Sequence, residues 1–162
     1  TMKILNLAPD TECYDESYSL EFPLSPHESA RLSKIQISLN EINVPAKENL
    51  IIEGAGGIMV PLNDKDLVID IAKKANAEII LVIKHYLGSI NHTLLSIDYL
   101  KRNFYKIKGL IVVGDRLESS ERAIKDHTGL DILYNFEQSD VIDKNYIARQ
   151  ANKFTNDIKR KR

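Results

Sequence analysis

Residues 50–57 read Leu50-Ile51-Ile52-Glu53-Gly54-Ala55-Gly56-Gly57, an apolar run that ends in an acid and passes at once into glycines. The run predicts a short buried strand over residues 50–53, followed by a glycine-rich turn. Ligands of open α/β sheets bind beyond the carboxyl ends of the strands, where glycines let the backbone approach a phosphate. The Glu53 carboxylate is a suitable ligand for Mg²⁺. The spacing is neither a G-x-G-x-x-G fingerprint nor a phosphate loop, so it predicts a polar site of open chemistry.

Strands and helices alternate over the rest of the chain. The predicted strands are residues 79–83, 110–113 and 131–134, and the predicted helices are residues 26–32, 66–75, 89–103, 118–127 and 140–158. Residues 79–83 form a continuous apolar run, which is typical of a strand buried on both faces, and Asp64 is expected to cap the helix 66–75. The alternation predicts an α/β fold with a doubly wound, mainly parallel sheet. The length of 162 residues predicts a single domain.

Composition narrows the classes of partner and compartment. The net charge of −1 gives no sign of a nucleic-acid surface, and the basic residues 159–162 are interpreted as the solvated end of a helix. No apolar run is long enough to span a bilayer, and no signal peptide is recognisable at the start. A single cysteine, Cys13, cannot form an internal disulfide. We therefore expect a cytoplasmic protein with neither nucleic acid nor membrane as a partner.

A second motif opens the predicted helix that follows residues 79–83. It reads Tyr86-Leu87-Gly88-Ser89-Ile90-Asn91-His92-Thr93 and falls on the same edge of the sheet as Glu53. Gly88 supplies a turn and Ser89 a helix cap, so the free N–H groups of the helix start favour a carboxylate or a phosphate. An ordinary strand-to-helix turn capped by Ser89 is the alternative interpretation.

Two weaker candidates follow the later predicted strands. Gly114 and Asp115 come after residues 110–113, and Asn135 and Phe136 come after residues 131–134. Both pairs are expected at the ligand edge of the sheet. An amide and an aromatic ring there suit a nucleotide base, whereas a loop cap at Asp115 and loop packing at Asn135 and Phe136 are the alternatives.

Taken together, these motifs resemble those of the dethiobiotin synthetases. The matching segments keep the order of that family and cover roughly residues 1–136: Pro23-Leu24-Ser25-Pro26-His27, residues 52–57 with Val60-Pro61-Leu62, residues 87–95, and residues 108–112. The resemblance implies a P-loop NTPase-type sheet. It also implies a cytoplasmic ligase of biotin biosynthesis that uses ATP and Mg²⁺ to convert 7,8-diaminopelargonate and CO₂ to dethiobiotin. A homodimer with its active site at the interface is a further implication.

The resemblance also assigns roles to residues. Glu53 becomes a Mg²⁺ ligand, and the phosphates of ATP lie against Gly54, Ala55, Gly56 and Gly57. The carboxylate tail of the substrate is held at Leu87, Gly88, Ser89, Ile90 and Asn91. Nucleotide contacts fall at Gly114, Asp115, Asn135 and Phe136. At those positions the family usually has an adenine-reading asparagine and an Ile-Pro-like pair.

The chain departs from the family in one further respect. The family's phosphate loop, G-x-x-x-x-G-K-T, and its substrate-binding lysine segment do not occur in these 162 residues. We therefore expect a sheet without its first strands and phosphate loop, corresponding to the C-terminal three-quarters of the family's domain. No catalytic residue is assigned, and the chain alone is expected to be inactive. The alternative is a non-catalytic or decayed homologue without a phosphate loop that acts as a dimeric binding protein.

Overall fold

The computed structural model describes residues 2–54 and 56–160. Contacts between Cα atoms divide the chain into two compact units. The first unit contains the residues up to Cys13 together with the chain from Glu78 onward, and the second unit contains Tyr14–Ala77. Among the residues so described, no helix is both long enough and apolar enough to cross a membrane.

The first unit contains a parallel sheet of three strands in the order β1-β2-β3. The strands are β1 (Glu78–Ile83), β2 (Lys106–Val113) and β3 (Ile132–Phe136). The helices of the whole chain are α1 (Met2–Leu7), α2 (Pro26–Leu32), α3 (Asp70–Lys74), α4 (Ser89–Arg102), α5 (Glu118–Thr128) and α6 (Lys144–Arg160). A 3-10 helix, Leu39–Glu41, lies between α2 and α3. Parallel neighbours need crossover connections, and here α4 joins β1 to β2 while α5 joins β2 to β3.

One face of the sheet packs against α4 and α5. Its core consists of Ile83, Ile97, Leu110, Val112 and Ile124, and the last three are fully buried. An irregularity in the pairing of β2 with β3 turns the later side chains of β3 toward the opposite face of the sheet. Leu110 pairs with Ile132, but Ile111 pairs with Tyr134, so the side chains of β3 change faces at this point.

The change of faces explains how α6 is attached. Tyr134 lies edge-on against Phe154 of α6, with ring centroids 5.2 Å apart, and Phe136 stacks on the same ring at 6.0 Å. Because α6 lies on the face opposite to α4 and α5, helices cover both sides of the sheet. The predicted α/β fold with a doubly wound parallel sheet is confirmed.

The second unit has its own small core. Ala30, Ile37, Leu62 and Val68 are buried together. The Nζ group of Lys74 donates hydrogen bonds to the carbonyl oxygens of Leu39 and Asn40 at 2.8 and 2.7 Å, which ties α3 to the 3-10 helix.

The predicted strand over residues 50–53 is wrong. These residues have no regular secondary structure, and Ile51 and Ile52 are 95% and 42% exposed. A strand is held by hydrogen bonds to a neighbouring strand, and no partner pairs with this run among residues 2–54 and 56–160. The apolar run alone therefore does not fix an extended conformation.

The prediction that residues 79–83 are buried on both faces is also wrong. Ile80 and Val82 are 42% and 60% exposed, whereas Ile79 and Ile83 are buried. In the described sheet β1 is an edge strand, and α6 contacts β3 at the other edge. The outer side chains of β1 consequently lack a covering element within the first unit.

Two predicted helices begin too early. The helix predicted over residues 66–75 starts only at Asp70, because Leu67 forms a β-bridge with Pro61. The Asp70 carboxylate accepts a hydrogen bond from the Leu67 N–H at 2.8 Å. The N-cap residue is Ile69 and no side chain caps this helix, so the predicted cap at Asp64 is wrong. The helix predicted over residues 140–158 starts at Lys144, where the Asp143 carboxylate accepts a hydrogen bond from the Tyr146 N–H. The other predicted strands and helices are confirmed with shifts of a few residues at their ends.

Candidate active site

Three segments leave the carboxyl ends of β1, β2 and β3 at one edge of the sheet, because the strands are parallel. The segment between β1 and α4 contains His85 and Gly88, and the segment between β2 and α5 contains Gly114 and Arg116. Asn135 lies near the end of β3. The first unit therefore places the predicted residues from positions 87 to 136 along one edge, as the sequence indicates.

The start of α4 is built on Gly88. This glycine is the N-cap residue, with φ of 97° and ψ of −5°, a conformation that other residues rarely adopt. The prediction that Ser89 caps the helix is wrong, since Ser89 is the first helical residue, lies buried, and makes no side-chain cap. The Ser89 N–H donates to the carbonyl oxygen of Tyr86 at 3.0 Å. The other first-turn N–H groups have no acceptor within the helix, so this terminus has the electrostatics to bind an anion.

The side chains around this helix start differ in exposure. Leu87 is fully exposed, Asn91 is exposed, and Ile90 is half-buried. The Tyr86 hydroxyl group and the Nδ1 atom of His92 are hydrogen-bonded at 2.6 Å across the turn. This contact joins the residues before and after Gly88 and restricts the movement of the turn.

The end of β3 supports the turn after β2. The Gly114 N–H donates to the carbonyl oxygen of Phe136 at 2.9 Å, and the side-chain amide of Asn135 donates to the carbonyl oxygen of Gly114 at 3.0 Å. The Phe136 ring packs against Tyr134, with centroids 4.7 Å apart. Asp115 is exposed. Asn135 and Phe136 thus have packing roles in the fold, and their nucleotide contacts remain predictions.

A buried ionic cluster lies between the first two segments. The Glu121 carboxylate of α5 is 5% exposed and accepts hydrogen bonds from Nε of Arg116 at 3.1 and 3.2 Å, and from Nη2 of the same guanidinium. The His85 side chain is 8% exposed, and its Nε2 atom lies 3.5 Å from Oε1 of Glu121. Hydrogen bonds from Arg116 lower the pKa of Glu121, although burial acts in the opposite direction, and His85 adds a smaller lowering effect.

Sequence reasoning did not single out this cluster. The available signal was the position of Glu121 three residues before the fully buried Ile124, which places a carboxylate on the apolar face of α5. An acid at such a position needs a partner, because an unpaired buried charge is strongly destabilising.

The glycine-rich segment belongs to the second unit. A Cβ atom on Gly54 would lie 2.9 Å from Cγ1 of the buried Val68, so no side chain fits there without a shift. Glu53 is exposed, and Ala55 lies outside the described residues. A Cβ on Gly56 would approach Val60 to 3.0 Å, whereas a Cβ on Gly57 would meet no atom within 4 Å. In the described part of the chain, no group of three or more His, Cys, Asp or Glu residues converges.

Comparison with known proteins identifies the class and then the family. A family model described as an AAA domain matches residues 2–145, in agreement with the parallel α/β sheet. The chain is 44% identical to the ATP-dependent dethiobiotin synthetase BioD of Cytophaga hutchinsonii over 140 residues, which cover 85% of this chain and 68% of that protein. It is 39% identical to the BioD of Christiangramia forsetii over 146 residues, covering 90% of this chain and 70% of that protein. The chain belongs to the dethiobiotin synthetase family.

The comparisons also bear on the alternative interpretation. The relatives carry the name of an ATP-dependent synthetase, and the similarity extends over both units of the chain. A non-catalytic or decayed homologue receives no support from these matches.

The contact of Gly54 with Val68 gives a testable prediction. Gly54→Ala should lower the free energy of unfolding by about 1–3 kcal/mol, because the new methyl group overpacks the second unit. The matched control is Gly57→Ala, which should change stability by less than about 0.5 kcal/mol because the added methyl group enters open space. Urea denaturation followed by circular dichroism measures both variants, and equal stabilities would contradict the packing role of Gly54.

Proposed function

We propose that the protein is an ATP- and Mg²⁺-dependent ligase that carboxylates and cyclises 7,8-diaminopelargonate to dethiobiotin in biotin biosynthesis. The observation that carries the proposal is the similarity to ATP-dependent dethiobiotin synthetases over 85% and 90% of the chain. The ligand-edge placement of Gly88 and Gly114 supports it.

The proposed reaction proceeds in three steps. One amine of the substrate adds to CO₂, forms a C–N bond and releases a proton, which gives a carbamate. A carbamate oxygen attacks the γ-phosphate of ATP, so a mixed carbamic–phosphoric anhydride forms and ADP leaves. The second amine attacks the carbonyl carbon, loses a proton, closes the cyclic urea and expels phosphate. Such a sequence depends on positioning and on charge stabilisation.

The proposed metal and phosphate site lies at Glu53, Gly54, Ala55, Gly56 and Gly57. The Glu53 carboxylate is exposed and is a hard oxygen ligand, so it suits Mg²⁺. Bound Mg²⁺ would neutralise charge on the phosphates. Glycine at position 54 also keeps the backbone free of a side chain on the approach of a phosphate.

The proposed substrate site lies at the start of α4 and includes Leu87, Gly88, Ser89, Ile90 and Asn91. The helix dipole and the first-turn N–H groups favour the carboxylate tail of 7,8-diaminopelargonate. Asn91 is exposed in the first turn, so its amide is accessible to that carboxylate. Ser89 is buried and its N–H donates to the carbonyl oxygen of Tyr86, so Ser89 contributes by fixing the start of the helix.

The proposed nucleotide site includes Gly114, Asp115, Asn135 and Phe136. Because the Asn135 amide nitrogen already donates to Gly114, contact with the adenine amino group falls to the Asn135 side-chain oxygen. Asp115 is exposed beside this turn and is available to a ribose hydroxyl group.

We also propose a cytoplasmic homodimer with its active site at the interface, and neither nucleic acid nor a membrane as a partner. Leu87 and Tyr86 are 103% and 56% exposed at the start of α4, which supports burial of this turn by a second subunit. The single cysteine, Cys13, suits a reducing compartment.

The test of the proposed function is formation of dethiobiotin from 7,8-diaminopelargonate, bicarbonate, ATP and Mg²⁺ by the protein as its gene encodes it. Glu53→Gln should lower kcat by about 100-fold and raise the Mg²⁺ concentration needed for half-maximal rate, because a charged ligand is lost. The matched control is Glu48→Gln, an exposed acid five residues earlier in the same unit. Product is measured by mass spectrometry; a wild-type protein that forms none would contradict the function, and an unaffected Glu53→Gln variant would remove Glu53 from the metal site.

Asn91→Ala should raise the KM for 7,8-diaminopelargonate by about tenfold, equivalent to about 1.4 kcal/mol, through loss of a hydrogen bond to the carboxylate. The melting temperature should stay unchanged because Asn91 is exposed. Asp98→Ala on the same helix is the control, since it removes only a surface ion pair with Arg102. Steady-state kinetics with an unchanged KM would exclude Asn91 from the substrate site.

The isolated 162-residue polypeptide should bind MgATP weakly, with a Kd of about 1 mM or above, and should form no dethiobiotin. Its sequence contains no G-x-x-x-x-G-K-[ST] segment whose amides and lysine would surround the phosphates. Isothermal titration calorimetry measures the affinity. Micromolar binding would contradict the expectation and assign phosphate binding to residues present in this chain.

A further inference from the structure

The Glu121 carboxylate lies where the segments that follow β1 and β2 approach each other. It accepts hydrogen bonds from Arg116 of the segment after β2 and faces His85 of the segment after β1. Both segments are also close at a second point, because a Cβ on Gly114 would lie 3.8 Å from Cε of Lys84. A single buried acid thus contacts both segments from a third element, α5.

The spacing along the chain makes this contact relevant to both proposed ligand sites. His85 is three residues before Gly88, the N-cap residue of the proposed substrate site. Arg116 is two residues after Gly114 of the proposed nucleotide site. The two side chains that face Glu121 are therefore two or three residues from the proposed substrate and nucleotide sites.

Glu121 is hydrogen-bonded to Arg116 but not to His85. Among the described residues, neither ring nitrogen of His85 has a hydrogen-bond partner, although both are buried. The 3.5 Å separation from Glu121 is an ion-pair distance, but it lacks the geometry of a hydrogen bond. A small shift of either group would therefore complete a hydrogen bond between His85 and Glu121.

We propose that Glu121 is a positioning residue that couples the two ligand sites, by holding Arg116 beside the nucleotide turn and His85 beside the turn that leads to the substrate helix. The proposal rests on the proposed function, because it assigns the ligands of both turns from it. Binding of the nucleotide fixes the Arg116 segment and, through Glu121, the His85 segment, which favours the substrate. Thermodynamic linkage requires the reverse effect to have the same size.

The experiment measures Kd for 7,8-diaminopelargonate with and without a saturating non-hydrolysable ATP analogue, in the protein as its gene encodes it. We expect the analogue to tighten substrate binding by about fivefold or more in the wild type. Glu121→Gln should reduce this ratio to nearly one, because a neutral amide no longer forms the ion pair with Arg116 and no longer holds both segments through one carboxylate. Asp126→Asn, an exposed acid on the same helix, is the matched control and should keep the wild-type ratio.

A purely structural role would lower the melting temperature of Glu121→Gln and leave the coupling ratio unchanged, and that result would overturn the proposal. Should Glu121→Gln fail to fold, His85→Asn and Arg116→Gln are measured instead. Each variant should abolish the coupling, and a coupling retained in either of them would overturn the proposal. Substrate binding and dethiobiotin formation by the wild type without any coupling would contradict this inference alone, while a wild type that neither binds the substrate nor forms product would contradict the proposed function.

Discussion

The parallel pairing of β2 with both of its neighbours is the constraint on which the first unit depends. Leu110 and Val112 of β2 are fully buried, and each pairs with a residue of β1 and of β3. Parallel pairing requires each connection to cross back along the sheet, which is the role of α4 and α5. It also brings the segments after all strands to one edge. The placement of the proposed substrate and nucleotide sites in the first unit is therefore a consequence of the strand direction.

The sequence predicted the elements whose signals are local. The apolar runs of β1 and β2 and the apolar spacing of α4 are each sufficient to identify an element, and all three are confirmed. The run at residues 50–53 has the same local signal, but a strand needs a partner, and the sequence does not reveal whether one is present. The predicted start of α3 is wrong for a related reason, because Leu67 pairs with Pro61 in a bridge that no local pattern encodes.

A glycine in a motif can be required by packing, by backbone conformation or by the approach of a ligand. The resemblance to the dethiobiotin synthetases predicts that Gly54 lies against a phosphate, whereas the fold requires glycine there because Val68 occupies the space of a side chain. Gly88 differs, since open space surrounds it and its positive φ is the constraint. The sequence thus indicated that these glycines are important. The structural reason for each glycine required the three-dimensional structure, namely the position of Val68 for Gly54 and the backbone conformation for Gly88. Packing and ligand approach are compatible, because both need a backbone without a side chain.

Glu121 shows why a candidate site is harder to predict than a fold. The apolar spacing of α5 places Glu121 on the buried face of the helix. The partners of Glu121 come from two other segments, which sequence spacing does not connect to it. Burial of a carboxylate is costly, and the hydrogen bonds from Arg116 offset that cost. Arg116 is itself 57% exposed, so the cluster has one solvated side and one buried side.

The energy of the Glu121 carboxylate depends on small movements of its neighbours, because attraction between charges is stronger where water is excluded. That sensitivity is useless in a purely structural core, where an apolar residue of similar size would pack as well. It becomes useful where two ligand-binding turns must be held in a fixed relation, which is the role proposed for the turns before α4 and after β2.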